Sequence, residues 1–337
     1  MLRRFGVGPW SYYHNRLFDP AISMTEKASY LGKPGAGNAL ERLTPLSYQL
    51  LYSNKLIADR FFGALGFPLP KIYGVLNPEV GHTSDGQPLR TALDLDLWLE
   101  RFQGPGFVFK PLEGAYGYKI LVLARGANER RNVFITPSGD EYDAEQLVAF
   151  TRQDARLPTW SRQLHSFVLQ ERLFPHPAIR ELVGGPTVCT VRLVTFIALD
   201  GQPRVLGAAF KLQSGPVGAD NFALGSIACF VDVDTGILGR GRTHDDLRDF
   251  TVVPGTDRSF VGFRLPHWAE VRAMALRAAT AFPWARAVAW DIALTDRGVM
   301  LLEGNERWDP DLIQLPADRG LMAGEFKALC EALGDRA

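Results

Sequence analysis

The sequence predicts an α+β protein in which antiparallel strands and helices form separate layers. Two hairpin signals carry this prediction: an Asp200-Gly201 turn between strand-like runs, and a turn ending at Gly298 between segments of alternating polarity. Strands occur in runs, with helices between the runs. That order is expected for α+β layers rather than for a doubly wound parallel sheet.

The first half of the chain begins with helical patterns. Residues 10–66 are aromatic and helix-like, with a break at 32–35, and Thr44-Pro45 opens a helix. Its apolar stripe comprises Leu46, Leu50, Ile57, Phe61 and Leu65. The later patterns predict a strand at 71–76, a helix at 94–102, strands at 107–110 and 119–123, a helix at 143–151 and a strand at 167–171.

The second half supplies another sheet. The patterns predict paired strands at 190–199 and 204–212, a strand at 227–233, an amphipathic helix at 267–282 and a hairpin at 289–305. The helix places Trp268, Val271, Ala275, Ala278 and Phe282 on one face.

Composition excludes several classes of function. Lys plus Arg and Asp plus Glu each number 37, so no overall field favours nucleic acid or an anionic membrane. The three cysteines are far apart, as expected for free buried thiols in a reducing compartment. The N-terminal stretch lacks the apolar region of a signal peptide, and no apolar run is long enough to span a bilayer. We therefore expect a cytoplasmic protein without a transmembrane segment.

The hairpin at 289–305 carries two acids. With a loop of Asp296, Arg297 and Gly298, Asp291 lies directly opposite Glu303, and Asn305 continues on the face of Glu303. Facing carboxylates repel, and a shared Mg²⁺ would remove that repulsion. Taken alone, the pattern fits a solvent-exposed hairpin with two unrelated acids somewhat better than a metal site.

Residues 107–120 combine lysines with a glycine-bearing loop. Lys110 ends one strand, Gly114 and Gly117 follow, and Lys119 opens the next strand. Glycines let backbone N–H groups approach phosphate, and ammonium groups neutralise it. The spacing excludes a P-loop. On its own, a plain glycine hairpin with solvated lysines is the commoner interpretation.

A second cationic pair lies on the 190–212 hairpin. A two-residue Asp200-Gly201 turn places Arg192 opposite Ala209 and diagonal to Lys211. Two cations on an otherwise apolar face need an anion between them, and phosphate oxygens would serve. A pair that extends to solvent at a sheet edge explains the pattern equally well.

The strand at 167–171 ends in Gln170 and Glu171, followed by Leu173. Backbone groups beside an apolar strand can bind a flat adenine edge, with Gln or Glu fixing its amino group; apolar strands also commonly end in polar residues. His176 fits a satisfied loop histidine better than a catalyst. No metal-binding histidine spacing and no hydrolase serine motif occurs.

Together, these elements resemble an ATP-grasp enzyme over roughly residues 105–315, and more closely the sugar-transfer-associated ATP-grasp family. The matching segments are VFKPLEGAYGYKI, VLQERLFPHPAIREL, TVCTVRLVT, DNFALGSIACFVDVDTGILG and AWDIALTDRGVMLLEGN. The segment YSNKLIADRFFGALGFPLPKIYGV also resembles the entry to an ATP-grasp module. The order of the segments is more specific than any one of them.

The resemblance implies ATP bound between two α+β subdomains that follow a mainly helical N-terminal region. The implied ranges are 1–95 for the N-terminal region, 96–175 for the subdomain with glycine loop and hinge, and 176–337 for the subdomain with the metal site. The resemblance implies that Lys110 and Lys119 contact phosphates beneath Gly114 and Gly117, and that Gln170, Glu171 and Leu173 form an adenine hinge. It also implies that Arg192 and Lys211 contact the γ-phosphate. Mg²⁺ would be bound by Asp291, Glu303 and Asn305. Asn221 would face the acceptor or the metal. Glu306-Arg307-Trp308 is bulkier than in relatives, which implies an altered acceptor pocket.

The implied reaction is an ATP-dependent ligation of a small-molecule carboxylate to an amine, through an acyl phosphate and with release of ADP. The family is linked to cell-surface polysaccharide biosynthesis, and an amino sugar is one candidate amine. A phosphotransferase with a stable product shares the same machinery, and a catalytically silent nucleotide-binding scaffold is the non-enzyme alternative. The oligomeric state stays open.

Overall fold

The computed structural model describes residues 7–32, 39–114, 119–126, 132–152, 166–213, 226–244 and 246–334. Helices dominate the N-terminal part: α1 (Pro9–His14), α2 (Met24–Ala28), a single 3-10 turn (Leu46–Tyr48), α3 (Gln49–Ser53) and α4 (Lys55–Ala64). Residues 39–43 are helical as well. The predicted N-terminal helical region is therefore confirmed.

The first sheet contains seven strands within the described ranges, in the order β2-β1-β7-β3-β4-β5-β6. Its strands are β1 (Ile72–Leu76), β2 (His82–Thr83), β3 (Gly106–Pro111), β4 (Leu121–Arg125), β5 (Phe134–Ile135), β6 (Glu141–Tyr142) and β7 (Phe167–Glu171). The helices α5 (Ala92–Arg101) and α6 (Ala144–Arg152) belong to this part of the chain. Strands β1 and β2 lie inside residues 1–95, and the three sequence ranges stay a prediction.

The second sheet contains six described strands in the order β11-β10-β9-β8-β12-β13. They are β8 (Thr190–Ile197), β9 (Pro203–Leu212), β10 (Ile227–Val231), β11 (Leu238–Arg242), β12 (Ala287–Thr295) and β13 (Gly298–Asn305). The accompanying helices are α7 (Pro177–Val183), α8 (Trp268–Ala281), α9 (Asp311–Ala317) and α10 (Gly324–Gly334). All described pairings in both sheets are antiparallel, which confirms the α+β prediction.

The second sheet has one predominantly apolar face, which we call the back face. Val191, Phe210 and Trp290 on this face pack in one core with residues of α8. The predicted helix stripe is confirmed for Trp268, Val271, Ala275 and Ala278, all buried in α8, whereas Phe282 follows the helix as its C-terminal cap. The opposite face, the front face, carries Arg192, Lys211 and Asp291 between two apolar clusters.

Both hairpins reach the predicted registers by an unexpected route. Asp291 pairs with Glu303 as predicted, but Thr295 pairs with Gly298, so the connection is shorter by one residue. A bulge between Asp291 and Ile292 restores the register. In the other hairpin Arg192 pairs with Ala209 as predicted. The predicted two-residue turn was wrong, because Ala198 N donates to Gln202 O at 2.9 Å, which makes the connection longer. A bulge beyond Val194 restores the predicted register.

The apolar stripe of the early helix is not the buried face. Leu46, Leu50, Ile57 and Leu65 are exposed, whereas Tyr52 and Phe62 enter the core. The helix is broken at Asn54, whose side chain accepts from Leu56 N and Ile57 N and starts α4. The break rotates the faces of α3 and α4, so one continuous helical period fails.

Three further sequence predictions concern the cysteines, membrane-spanning helices and His176. Cys189, Cys229 and Cys330 are buried, as predicted. No helix in the described ranges is long and apolar enough to cross a membrane. His176 caps α7, its Nδ1 accepting from Ala178 N at 3.2 Å, which confirms the loop-histidine interpretation.

Candidate functional site

A buried ion triad lies on the front face of the second sheet. Arg192 donates to Asp291 from Nε at 2.5 Å and from Nη2 at 2.8 Å, and Lys211 Nζ lies 3.1 Å from Asp291 Oδ2. Arg192 and Asp291 are direct partners on β8 and β12, and Lys211 reaches the carboxylate diagonally from β9. The antiparallel pairing of three neighbouring strands therefore fixes this triad.

The triad controls the ionisation of its acid. Burial alone would raise the pKa of Asp291, but the charges and hydrogen bonds of Arg192 and Lys211 outweigh burial and lower it. The anion that the sequence required between the two cations is thus provided by the protein itself. The same cations relieve the repulsion between Asp291 and its partner Glu303, so repulsion no longer argues for a metal.

Two lysines from outside the second sheet face the acidic pair. Lys110 ends β3, and the charges of Glu303 and Asp291 act on it. Burial, followed by the nearby charge of Lys55, lowers the pKa of Lys110 to about 8. Glu303 and Glu113 act on Lys55 in turn, although burial dominates and lowers its pKa as well. Neighbouring ammonium groups with depressed pKa values are a favourable place for a polyanion.

Sequence reasoning did not assign a role to Lys55. It is the first residue of α4, where the helix dipole disfavours a cation. Its backbone N–H donates to Leu112 O at 3.1 Å, and Asn54 Nδ2 donates to Glu113 Oε1 at 2.6 Å, which docks the helix start on the end of β3. The signal that could have identified it is a lysine directly after an N-capping asparagine.

Besides the indole of Trp308, two polar side chains beyond Glu303 have buried donors without partners among the described residues. These are Nδ2 of Asn305 and Nη1 of Arg307. Asn305 pairs with Ala289 on the front face, two residues after Glu303. Unpaired buried donors are unfavourable, so both atoms mark a place where a ligand oxygen would be stabilised.

The hinge residues bridge the two sheets. Gln170 Nε2 donates to Pro70 O at 3.4 Å, and Glu171 accepts from Arg297 Nη2 at 2.7 Å and from Lys71 N at 3.1 Å. Both side chains therefore hold the hinge rather than point to a ligand. Leu173 packs in a small apolar cluster with Ala293, Met300, Val188 and Leu302.

The remaining predicted residues are placed less favourably. Lys119 Nζ donates to Phe150 O at 2.8 Å and lies over the Phe150 ring, so its described contacts are with α6 rather than with the acidic pair. A Cβ at Gly114 would meet only Pro111, at 3.5 Å, so the described backbone does not require glycine there. Gly117 and Asn221 lie outside the described residues.

The candidate metal ligands form a small oxygen set. Within the described ranges, no group of three or more His, Cys, Asp or Glu side chains could hold a metal ion. Asp291, Glu303 and Asn305 are two carboxylates and an amide, the oxygen ligands that Mg²⁺ combines with phosphate oxygens and water. The set is thus chemically suited to Mg²⁺ accompanied by a nucleotide, and unsuited to zinc.

Comparisons with known proteins agree with this description. The model of the sugar-transfer-associated ATP-grasp family matches residues 40–329. No curated protein matches the chain. Similar solved structures include a biotin carboxylase–nucleotide complex from Campylobacter jejuni (11% identity, TM-score 0.49, 84% of this chain and 46% of that one). Another is an L-amino acid ligase from Bacillus licheniformis (12% identity, TM-score 0.44, 86% of this chain and 49% of that one). The chain thus spans about half the length of these two structures.

Replacing Asp291 by Asn tests the triad. The substitution leaves Arg192 and Lys211 buried beside each other without their anion, so we expect the free energy of unfolding to fall by about 3–5 kcal/mol in urea titrations. Asp200→Asn is the matched control, because Asp200 pairs with Arg204 in an exposed position and should change stability by less than about 1 kcal/mol. Equal stability of the two variants would contradict the account of the triad.

Proposed function

The chain belongs to the sugar-transfer-associated ATP-grasp family, whose model matches residues 40–329, and on that premise we propose that it is an ATP- and Mg²⁺-dependent carboxylate–amine ligase. The observation that carries this proposal is the convergence of charges between the two sheets. Lys55 and Lys110 lie on one side of this site, and Asp291 and Glu303 lie on the other. Arg192 and Lys211 contact Asp291. A triphosphate with a divalent cation complements both signs at once.

The adenine would lie against the apolar cluster at the hinge. Leu173 comes from the segment after β7, and Met300 from β13, so the cluster is shared by both halves of the fold. Apolar side chains beside a polar hinge backbone suit a flat heteroaromatic ring. Gln170 and Glu171 would contribute by fixing the hinge through Pro70, Lys71 and Arg297.

Asp291, Glu303 and Asn305 would hold Mg²⁺, which supplies charge neutralisation at the phosphates. The orphaned donor of Asn305 supports a ligand at this place, because an amide whose nitrogen has no partner among the described residues can rotate its oxygen toward a cation. Lys55, Lys110 and Lys119 would contact the phosphates, Gly114 and Gly117 would lie in the loop above them, and Asn221 would face the acceptor.

The chemistry proceeds in two substitutions. A carboxylate oxygen of the substrate attacks the γ-phosphorus, the new O–P bond replaces the bond to the β-phosphate, and ADP leaves. The amine nitrogen then attacks the acyl carbon, the C–N bond forms, phosphate leaves with the C–O electron pair, and the amine releases a proton. Arg192 and Lys211 stabilise the charge on the transferred phosphoryl group, and Arg307 directs its unpaired donor to the carboxylate.

We propose that the substrates belong to cell-surface polysaccharide or related natural-product biosynthesis, and the description of the family as sugar-transfer-associated supports this proposal. The acid and the amine are small molecules. An amino sugar is the amine that fits this setting.

Trapping the intermediate separates the ligase from its alternatives. With ATP, Mg²⁺ and a pool of carboxylates, we expect ADP release that depends on an acid, and hydroxylamine should convert the acyl phosphate into a hydroxamate. Glu303→Gln should lower the rate at least about 100-fold, as for loss of one charge-stabilising group. Glu325→Gln, exposed on α10, is the matched control and should keep full activity. Formation of AMP, or turnover of an acid without hydroxamate, would contradict the proposal.

The pKa of Lys110 predicts a pH dependence of nucleotide binding. Phosphate binds the protonated ammonium, and in the free protein Lys110 loses that proton near pH 8. Affinity for Mg²⁺ and β,γ-methylene-ATP should therefore fall as pH rises from 8 to 9.5, by up to about tenfold per unit. Lys110→Arg remains protonated throughout and should bind with a flatter profile in calorimetric titrations. The same slope in both proteins would show that Lys110 is not the titrating group.

A further inference from the structure

Two arginines on the edge strand β11 share one carboxylate. Arg240 Nη2 contacts Asp318 Oδ2, and Arg242 Nη2 lies 3.6 Å from Asp318 Oδ1. Arg242 is only 1% exposed, and its Nη2 makes no hydrogen bond to the described part of the protein. Asp318 thus bridges two guanidinium groups in the way a bound oxyanion would, yet leaves one buried donor unsatisfied.

Two exposed carboxylates contact this arginine pair. Asp249 accepts from Arg242 Nε and also lies 3.5 Å from Arg240 Nη1. Both carboxylates are substantially exposed, at 38% for Asp249 and 49% for Asp318. An incoming anion would reach the guanidinium groups by displacing Asp318 toward solvent.

The arginine pair lies in line with the triad. Arg242 pairs with Ala228, and Ala228 pairs with Lys211, so Arg242 and Lys211 project from the same front face. Two strand spacings separate their backbones by about 10 Å, and α9 packs over the strand between them, with Leu312 and Ile313 in one apolar cluster with Ala228. The cations of the front face thus continue from Arg192 and Lys211 to Arg242 and Arg240.

The N-terminal segment 7–32 closes this end of the front face. It precedes residues 40–329, the part of the chain that the family model matches. Arg16 Nη2 donates to Leu247 O at 2.6 Å, and Trp10 stacks on both His14 and His244. The segment is anchored on α9, where buried Asp311 accepts from Ser11 and Asn15.

We propose that Arg240 and Arg242 form an anion subsite that binds a carboxylate or phosphate group of the substrate in place of Asp318. That the ligand is a substrate rests on the proposed function, whereas the anion subsite itself does not.

Anion titrations test the subsite. The full-length protein is saturated with β,γ-methylene-ATP and Mg²⁺, which fill the γ-phosphate position, and titrated calorimetrically with inorganic phosphate or acetate at constant ionic strength. Arg242→Gln should weaken binding of the preferred anion at least tenfold. Asp318→Asn should strengthen it several-fold, because it removes the competing carboxylate, and asparagine tolerates the left-handed backbone of this residue. Arg248→Gln, an arginine 77% exposed, should change nothing.

The outcomes separate the alternatives. A stronger response to phosphate or to acetate assigns the subsite to the corresponding substrate group. Equal affinities in the wild type and Asp318→Asn, or in the wild type and Arg242→Gln, mean an adventitious ion only and overturn the subsite. If Arg242→Gln does not fold, Asp318→Asn alone decides. Failure of β,γ-methylene-ATP to bind would overturn the proposed function, and titration of the nucleotide-free protein would then decide the subsite.

Discussion

The burial of Asp291 between Arg192 and Lys211 is the interaction on which the site depends. Isolated buried charges are unstable, so each of the three side chains requires the others. Their contacts are only available when β9, β8 and β12 are neighbours in the observed register. The triad therefore links the topology of the second sheet to the position of Glu303 on β13, the partner of Asp291. In the proposed enzyme the same cations would exchange part of their contact with Asp291 for a transferred phosphoryl group.

The second constraint is the apposition of the two halves of the fold. Lys55 and Lys110 belong to the start of α4 and the end of β3, and Glu303, which acts on both, belongs to the second sheet. The ion pair of Glu171 with Arg297 and the cluster around Leu173 join the halves at the hinge. The two lysines of the first half thus lie near acids of the second half, and the hinge contacts join the two halves.

The sequence was sufficient for many of the longer elements and for the pairing of the charged residues, because alternation and turn signals are local, but it did not predict β11, α7, α9 or α10. The pairings of Asp291 with Glu303 and of Arg192 with Ala209 were correct although both connections differed from the assumed turns, since each bulge offset one residue. Bulges depend on packing between strands and have no reliable local signal. Likewise, nothing local shows that Leu46 and Leu50 face solvent or that Asp291 neutralises both cations. The N-capping asparagine before Lys55 is a local signal. The role of Lys55 nevertheless depends on β3 lying beside the start of α4, which the local sequence does not show.

The most direct test of the account is a crystal structure of the protein with Mg²⁺ and β,γ-methylene-ATP. We expect the triphosphate between Lys55 and Lys110 on one side and Asp291 and Glu303 on the other, with the adenine ring against Leu173 and Met300. A nucleotide bound outside the cleft between the two sheets, with the triad of Arg192, Lys211 and Asp291 unchanged and distant from the phosphates, would contradict the account.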